Sequence, residues 1–428
     1  MTQVLRTKNL NLNIRGLKPS STLAINERSN KLQAQGKQVY RFGFGQSPFP
    51  VPEVVIEALR HNAHQKDYLP VKGLHALRRA VAQYATSKIG IHRAADDVLI
   101  GPGSKELMFL LQLVYYGDLL IPRPGWVSYA PQAQIIGRNV HWIRTEESNG
   151  WRLTAKELDL ICRTDPDRPR IVVLNYPANP TGTTFSRREL IELAEVAQTY
   201  GIILLSDEIY GDLHHEGEHL SVAHFYPEGT IISTGLSKWC GAGGWRLGTF
   251  IFPPALHWLL DAMAVAASET FTSTSAPIQY AAVRAFQGGE EIEYYLFHSR
   301  RVLKAIGNFL WRKLDVHHVT CPQPEGGFYL FPNFEYYRES LARRNILTSV
   351  ELCNALLDET GVALLPAYDF GFSPRMLAAR LSYVDFDGEQ ALQKAYELGE
   401  QSVDESFVKD VAGKMIEGIH HMLDWLNQ

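Results

Sequence analysis

Short runs of branched apolar residues alternate with longer amphipathic stretches through the middle of the chain. Asp97-Val98-Leu99-Ile100 is one such run, and it stops at Gly101-Pro102-Gly103. Ser104-Lys105-Glu106 then opens a helical segment through Tyr116, and Asp118-Leu119-Leu120-Ile121 returns as strand, ended by Pro122 and Pro124. The alternation continues with strand over 170–174, helix over 187–200, strand over 202–206, and further strands over 230–233 and 247–252. Apolar runs without polar alternation read as strands covered on both faces, so the pattern predicts an α/β fold with a mostly parallel central sheet.

Past roughly residue 288 the texture changes. Long helical segments over 291–314, 349–360, 389–403 and 407–426 flank short strands over 328–331, 363–365 and 379–382. This predicts a smaller α+β domain. The expected division is an N-terminal arm over 1–50 that packs with the small domain, a large domain over 51–290 and a small C-terminal domain over 291–428. A chain of 428 residues can bury a core of that size.

Composition narrows the function classes. The chain is 45% hydrophobic and 21% charged, with a formal net charge of -4. That balance offers no basic excess for nucleic acid and no polybasic anchor for a membrane. The first 17 residues lack an apolar signal core, and no apolar run is long enough to span a bilayer. Cys162, Cys240, Cys321 and Cys353 are scattered without a paired spacing, as reduced thiols of a cytoplasmic protein would be. The histidine pairs 214–215, 317–318 and 420–421 lack partners at zinc-ligand spacing and read as surface or loop residues; no metal site is expected.

Candidate chemistry follows the strands. In open α/β sheets, ligands gather at the carboxyl ends of the strands. Gly103-Ser104-Lys105 follows the first predicted strand, Asn179-Pro180-Thr181-Gly182 follows the third, Asp207 and Tyr210 follow the fourth, and Lys238 follows the fifth. Arg246 precedes a strand, but a hairpin-like return from Ser233 to Leu247 brings it to the same edge. Together these supply what pyridoxal 5'-phosphate requires of a protein. Lys238 is an amine for a Schiff base, and Asp207 is a carboxylate for the ring nitrogen. Tyr210 and Asn179 are donors for the phenolic oxygen. Ser104 and Lys105 open a helix whose amides suit a phosphate, and Arg246 adds a planar cation. Trp126 can lie against the ring, and Arg380 can hold a substrate carboxylate in a fork.

On these residues the chain resembles the class I/II aminotransferases of fold type I, the aspartate aminotransferase superfamily. The likeness extends to Ser21-Thr22-Leu23-Ala24-Ile25, to Tyr68-Leu69-Pro70-Val71-Lys72-Gly73, to Gly326-Gly327-Phe328-Tyr329 and to Arg380-Leu381-Ser382. The resemblance implies that Lys238 carries the cofactor, with Asp207 and Tyr210 as its catalytic companions. It assigns Gly103, Ser104, Lys105, Trp126, Asn179, Arg246 and Tyr68 to cofactor binding, Tyr68 reaching the neighbouring subunit's phosphate. Gly45, Asn179 and Arg380 are assigned to the substrate. A homodimer with shared active sites follows. Gly235 stands where some subgroups carry a phosphate-binding serine, and Pro366-Ala367-Tyr368 departs from the usual Pro-Gly pair. Residues 1–18 have no counterpart in the pattern.

The expected reaction moves an amino group between an L-amino acid and a 2-oxo acid by a ping-pong route. The motifs do not by themselves decide which Cα bond breaks, so a β-lyase, a decarboxylase or a cyclopropane-forming synthase is the alternative. Phe44, Phe49 and Tyr329 lean weakly toward aromatic or apolar substrates.

Overall fold

The computed structural model describes residues 10–428; residues 1–9, the start of the expected arm, lie outside the described residues. Twelve strands are present among the described residues: β1 (Tyr40–Arg41), β2 (Val98–Gly101), β3 (Asp118–Pro122), β4 (Val140–Ile143), β5 (Arg170–Asn175), β6 (Ile203–Asp207), β7 (Thr230–Gly235), β8 (Gly248–Ile251), β9 (Tyr329–Leu330), β10 (Val362–Ala363), β11 (Leu365–Pro366) and β12 (Ala379–Ser382). Strands β2 to β8 form one seven-stranded sheet in the order β2-β8-β7-β6-β5-β3-β4. All neighbours are parallel except β8, which runs against both β2 and β7.

The apolar runs are buried because both faces of this sheet are covered. Ile171, Val173, Ile203, Leu205 and Ile231 share a core with Leu107, Met108, Leu111, Leu259 and Met263 from the helices Ser104–Val114 and His257–Ser268. Val172, Leu174 and Leu204, one residue out of phase, pack instead with Leu158, Leu190, Leu193 and Ala197 from the helices Ala155–Cys162 and Arg187–Thr199. Successive side chains of a strand point to opposite faces, so an unbroken apolar run feeds two cores at once. The helix Arg187–Thr199 starts where Ser186 and Glu189 cap each other, a capping box that stops the strand-to-helix connection at a fixed residue.

The C-terminal part follows a different plan. The 27-residue helix Glu290–Val316 leads to a three-stranded antiparallel sheet in the order β11-β12-β9. The expected strand over 363–365 is two short strands with different partners: β10 pairs in parallel with β1 of the N-terminal segment, and β11 pairs with β12. The N-terminal segment is thereby tied to the C-terminal elements.

Other local expectations are corrected. The helix over 407–426 is two helices, Glu405–Val411 and Gly413–Leu426, broken at Ala412 beside a glycine that favours helix poorly. The helix over 389–403 ends at Leu398. His215, expected at the surface, is buried beneath the turn that precedes β9, with Nδ1 3.2 Å from the Pro324 carbonyl and Nε2 3.2 Å from that of Gly327. Burial pushes its imidazole down to about 4, so it is neutral at pH 7.

Candidate active site

The strand ends converge on a cavity of about 510 Å³. Ser104 and Lys105 reach it from β2, Trp126 from β3, Asn175 and Asn179 from β5, Asp207 and Tyr210 from β6, and Lys238 from β7. Arg246 arrives by the reversed strand β8: since β8 is antiparallel to β7, the two residues before its first position, Arg246 and Leu247, lie at the same sheet edge as the residues after β7. Gly45, Tyr329 and Arg380 close the cavity from the N-terminal segment and the three-stranded sheet.

Lys238 sits at the centre. Its Nζ donates to the Gly45 carbonyl at 2.7 Å and lies 5.5 Å from the Tyr210 ring and 5.7 Å from that of Phe328. Burial pushes its amine down to about 7, and the nearby Arg380, Arg246 and Lys105 cations push the same way against the pull of Asp207. A neutral amine is therefore populated at physiological pH.

Asp207 is 4% exposed at the last position of β6. Its Oδ2 accepts from the Tyr129 hydroxyl at 2.6 Å, while Oδ1 has no partner. Burial pushes its carboxyl up to about 6, partly offset by Tyr129 and the Ile209 amide; the Ser233 hydroxyl nearby makes no hydrogen bond of its own. A buried carboxylate oxygen left unpaired costs stability, and the cost is relieved by a donor arriving in the cavity.

Asn175 fixes two neighbours at once. Its Nδ2 donates to the Asp207 carbonyl at 2.9 Å and its Oδ1 accepts from the Asn179 amide at 2.8 Å, binding the ends of β5 and β6 together. Asn179 Oδ1 accepts from Arg380 Nη1 at 3.2 Å, and Arg380 Nη2 donates to the Gly43 carbonyl at 2.6 Å. Arg380 Nε has no partner, and the guanidinium lies 4.7 Å from the Tyr329 ring and 5.6 Å from that of Phe370. Arg380 is thus a buried cation gripped on two sides, with its Nε unpaired.

At the other end, the helix Ser104–Val114 points its N-terminus into the cavity. Arg246 donates from Nη1 to the Gly243 carbonyl at 2.8 Å and from Nη2 to that of Pro102 at 3.4 Å. Gly103 makes this possible: at φ 92° it caps the helix in a conformation that favours glycine, and a Cβ there would stand 2.2 Å from Arg246 Nη2. Lys105 Nζ lies 5.1 Å from the Trp126 ring, and burial beside Arg246 lowers its pKa. Three positive groups thus share one wall, a charge pattern suited to an anion.

Every proposed site residue but one therefore lies in or beside this cavity. Tyr68 is the exception: it is 90% exposed and outside the cavity wall of its own chain. Phe49, counted with the substrate side, packs against Tyr295 and Phe386 away from the cavity. Tyr129 and Asn175 lack any sequence signal of their own beyond proximity to the motifs, because their roles depend on residues 78 and 32 positions away; Tyr329 belongs to a motif, but its contact with Tyr210, 119 positions away, is not readable from it. Among the described residues no group of His, Cys, Asp or Glu is arranged to hold a metal ion.

Fold and site together define an α/β enzyme with a lysine of lowered basicity that shares its cavity with a cluster of positive groups and a buried arginine. The sequence profile of the family Aminotransferase class I and II matches residues 37–387, and the chain belongs to that family. It is 33% identical over 381 residues to an aspartate aminotransferase of Geobacillus stearothermophilus, covering 86% of this chain and 93% of the relative. It is 32% identical to an asparagine–oxo-acid transaminase of Streptococcus mutans, over 86% and 92% of the two chains. The fold matches a Thermus thermophilus aspartate aminotransferase solved with maleate at a TM-score of 0.81 and 28% identity, covering 91% and 98%. The protein is an aminotransferase, with the mostly parallel α/β architecture of its relatives.

Proposed function

We propose that the cavity takes pyridoxal 5'-phosphate and that Lys238 carries it, in a ping-pong transfer of an amino group from an L-amino acid to a 2-oxo acid. The observation that carries this reading is Asp207 Oδ1, a buried carboxylate oxygen with no partner on the cavity wall that also bears Lys238. A protonated ring nitrogen is the donor it lacks. Tyr210 and Asn179 would hold the phenolic oxygen, Trp126 the ring face, and the helix amides after Gly103 with Ser104, Lys105 and Arg246 the phosphate.

When bound, the cofactor supplies an electron sink for the charge left at the substrate Cα. Arg380, with Asn179 and the Gly45 main chain, holds the substrate carboxylate and so fixes which Cα bond faces Lys238. Lys238 Nζ, whose neutral form is populated near pH 7, accepts the Cα proton and returns it one position along. The Tyr210 and Phe328 rings, 5.5 and 5.7 Å from the amine, limit water around it, with Phe44 and Tyr329 lining the same cavity.

L-Aspartate is the first donor to test. Relatives bear aspartate and asparagine in their names, and Ser20, Thr22, Gln46 and Lys105 add polar groups to the cavity wall. The exposed Tyr68 supports a homodimer in which Tyr68 of the partner subunit completes each phosphate site. The pairing of β1 with β10 supports an arm over 1–50 that works with a small domain over 291–428, beside a large cofactor-binding domain over 51–290. Four unpaired cysteines favour a cytoplasmic location. No helix among the described residues is long and apolar enough to cross a membrane.

The decisive experiment is spectroscopic and kinetic together. Wild-type protein given pyridoxal 5'-phosphate is expected to gain a visible absorption band, and borohydride followed by peptide mapping to mark position 238. Lys238→Ala is expected to lose the band and to transaminate at most about a thousandth as fast. Colourless wild-type protein would refute the reading. Pyruvate and ammonia without a new amino acid would move the reaction to the lyase class.

A further inference from the structure

Tyr329 has no part in the reading above beyond lining the cavity, yet the structure pins it from several sides. It is 1% exposed on β9, and its hydroxyl lies 2.8 Å from that of Tyr210. The two rings meet edge to face at 5.6 Å and 79°. Its opposite partner is Arg380, whose guanidinium stacks 4.7 Å from the ring centre. A Cβ on residue 45 would stand 2.0 Å from the Tyr329 hydroxyl oxygen, so glycine at 45 is what lets the hydroxyl reach its place.

Proton counting decides the direction of the bond between the two phenols. Each hydroxyl has one proton to donate. If Tyr210 donates to Tyr329, it has none left for a ligand. If Tyr329 donates to Tyr210, the Tyr210 proton is free for the cavity, and a phenol that accepts one hydrogen bond donates a stronger one. Only the second arrangement lets Tyr210 act on the phenolic oxygen of the cofactor proposed above, on which this inference rests.

We propose that Tyr329 is a positioning residue for transamination, its hydroxyl donating to Tyr210 so that the Tyr210 proton is aimed into the cavity, and its ring holding Arg380 against the same cavity. Tyr329 touches neither reacting atom; it acts through Tyr210 and Arg380. One side chain from the C-terminal sheet thereby sets both the phenol beside Lys238 and the cation that receives the substrate carboxylate.

Tyr329→Phe separates the two halves, because the ring remains under Arg380 and only the donor is lost. In the holoenzyme, a pH titration of the visible band is expected to show the Lys238 chromophore holding its proton to higher pH. The expected shift is about half a unit or more, roughly threefold in the proton equilibrium. The KM for the amino donor is expected to stay within about twofold, since carboxylate binding by Arg380 is kept. A second comparison guards against a packing effect. Tyr210→Phe and the double variant Tyr210→Phe/Tyr329→Phe should titrate alike, because Tyr329 works through Tyr210.

An unchanged titration in Tyr329→Phe overturns the inference. So does a further shift in the double variant, or a KM rise of about fivefold or more without a titration shift. These results differ from failure of the underlying reading: wild-type protein without a visible band refutes the cofactor, whereas a normal wild-type band with an unresponsive Tyr329→Phe refutes only the role of Tyr329.

Discussion

Asp207 shows how a single side chain trades stability for readiness. Its folded carboxyl is pushed up to about 6 from an ordinary 3.8 by burial, and one oxygen is unpaired. A raised carboxyl pKa adds stability that is fully present below 3.8 and lost as pH rises through about 6. Above that window the ionised group costs the cofactor-free protein on the order of 3 kcal/mol. Asp207→Asn keeps an acceptor for Tyr129 and removes the charge. It is expected to raise the urea midpoint of the cofactor-free protein at pH 7.5, to lose that advantage near pH 4, and to cut turnover by about a hundredfold or more. A lower midpoint at pH 7.5 would show that the carboxylate is compensated by something else.

The residue scale is also where the sequence was least legible. Lys238, Asp207, Asn179 and Arg246 could be read because each sits just after, or just before, an apolar run with a clear end. Tyr129 and Asn175 could not, although they hold Asp207 and Asn179 in place. An aromatic beside a tryptophan and an asparagine at the end of a strand look ordinary until the strands are paired. Nothing local to Tyr329 announces that it will meet Tyr210, 119 positions earlier.

At the scale of elements, strand ends carry the chemistry and the turns after them decide what arrives there. The hydrophobic pattern located β2, β3, β5, β6, β7 and β8 because each is buried on both faces. It missed β4, an edge strand whose residues are mostly partly exposed, with polar His141 at its centre. It also merged the two C-terminal helices, since Ala412 and Gly413 interrupt the backbone without interrupting the apolar face. The proposed phosphate site depends on a turn rather than a strand. Gly103→Ala would place a methyl group against Arg246 in a left-handed conformation, costing about 1–2 kcal/mol in strain. The cofactor's dissociation constant, read by absorbance titration, is expected to rise about tenfold. Undiminished affinity would mean that Arg246 does not serve the phosphate.

For the whole molecule, the expectation of shared sites can be tested without a structure of the assembly. Lys238→Ala and Tyr68→Ala variants damage different halves of each proposed site. After partial unfolding and refolding together, a mixture is expected to recover about a quarter of wild-type activity, because half of the dimers are mixed and each mixed dimer keeps one intact site. Recovery no greater than the sum of the separate variants would argue that each chain completes its own site. The broad architecture was legible because a doubly covered sheet demands uninterrupted apolar strands. Pairing of β1 with β10 lay beyond local pattern, since it joins positions 40 and 362.

The backward course of β8 has a further consequence for how the enzyme can vary. Lys238 and Arg246 stand on one closed bend between two hydrogen-bonded strands, with Gly235 opposite Gly248 at its base. No crossover helix separates them, so their spacing cannot be relaxed by lengthening a remote connection. Extra residues inserted in that bend would uncouple the amine from the guanidinium, whereas insertions between β4 and β5 would leave both untouched. Descendants of this chain are therefore free to remodel the far side of the sheet while this short bend stays the same length.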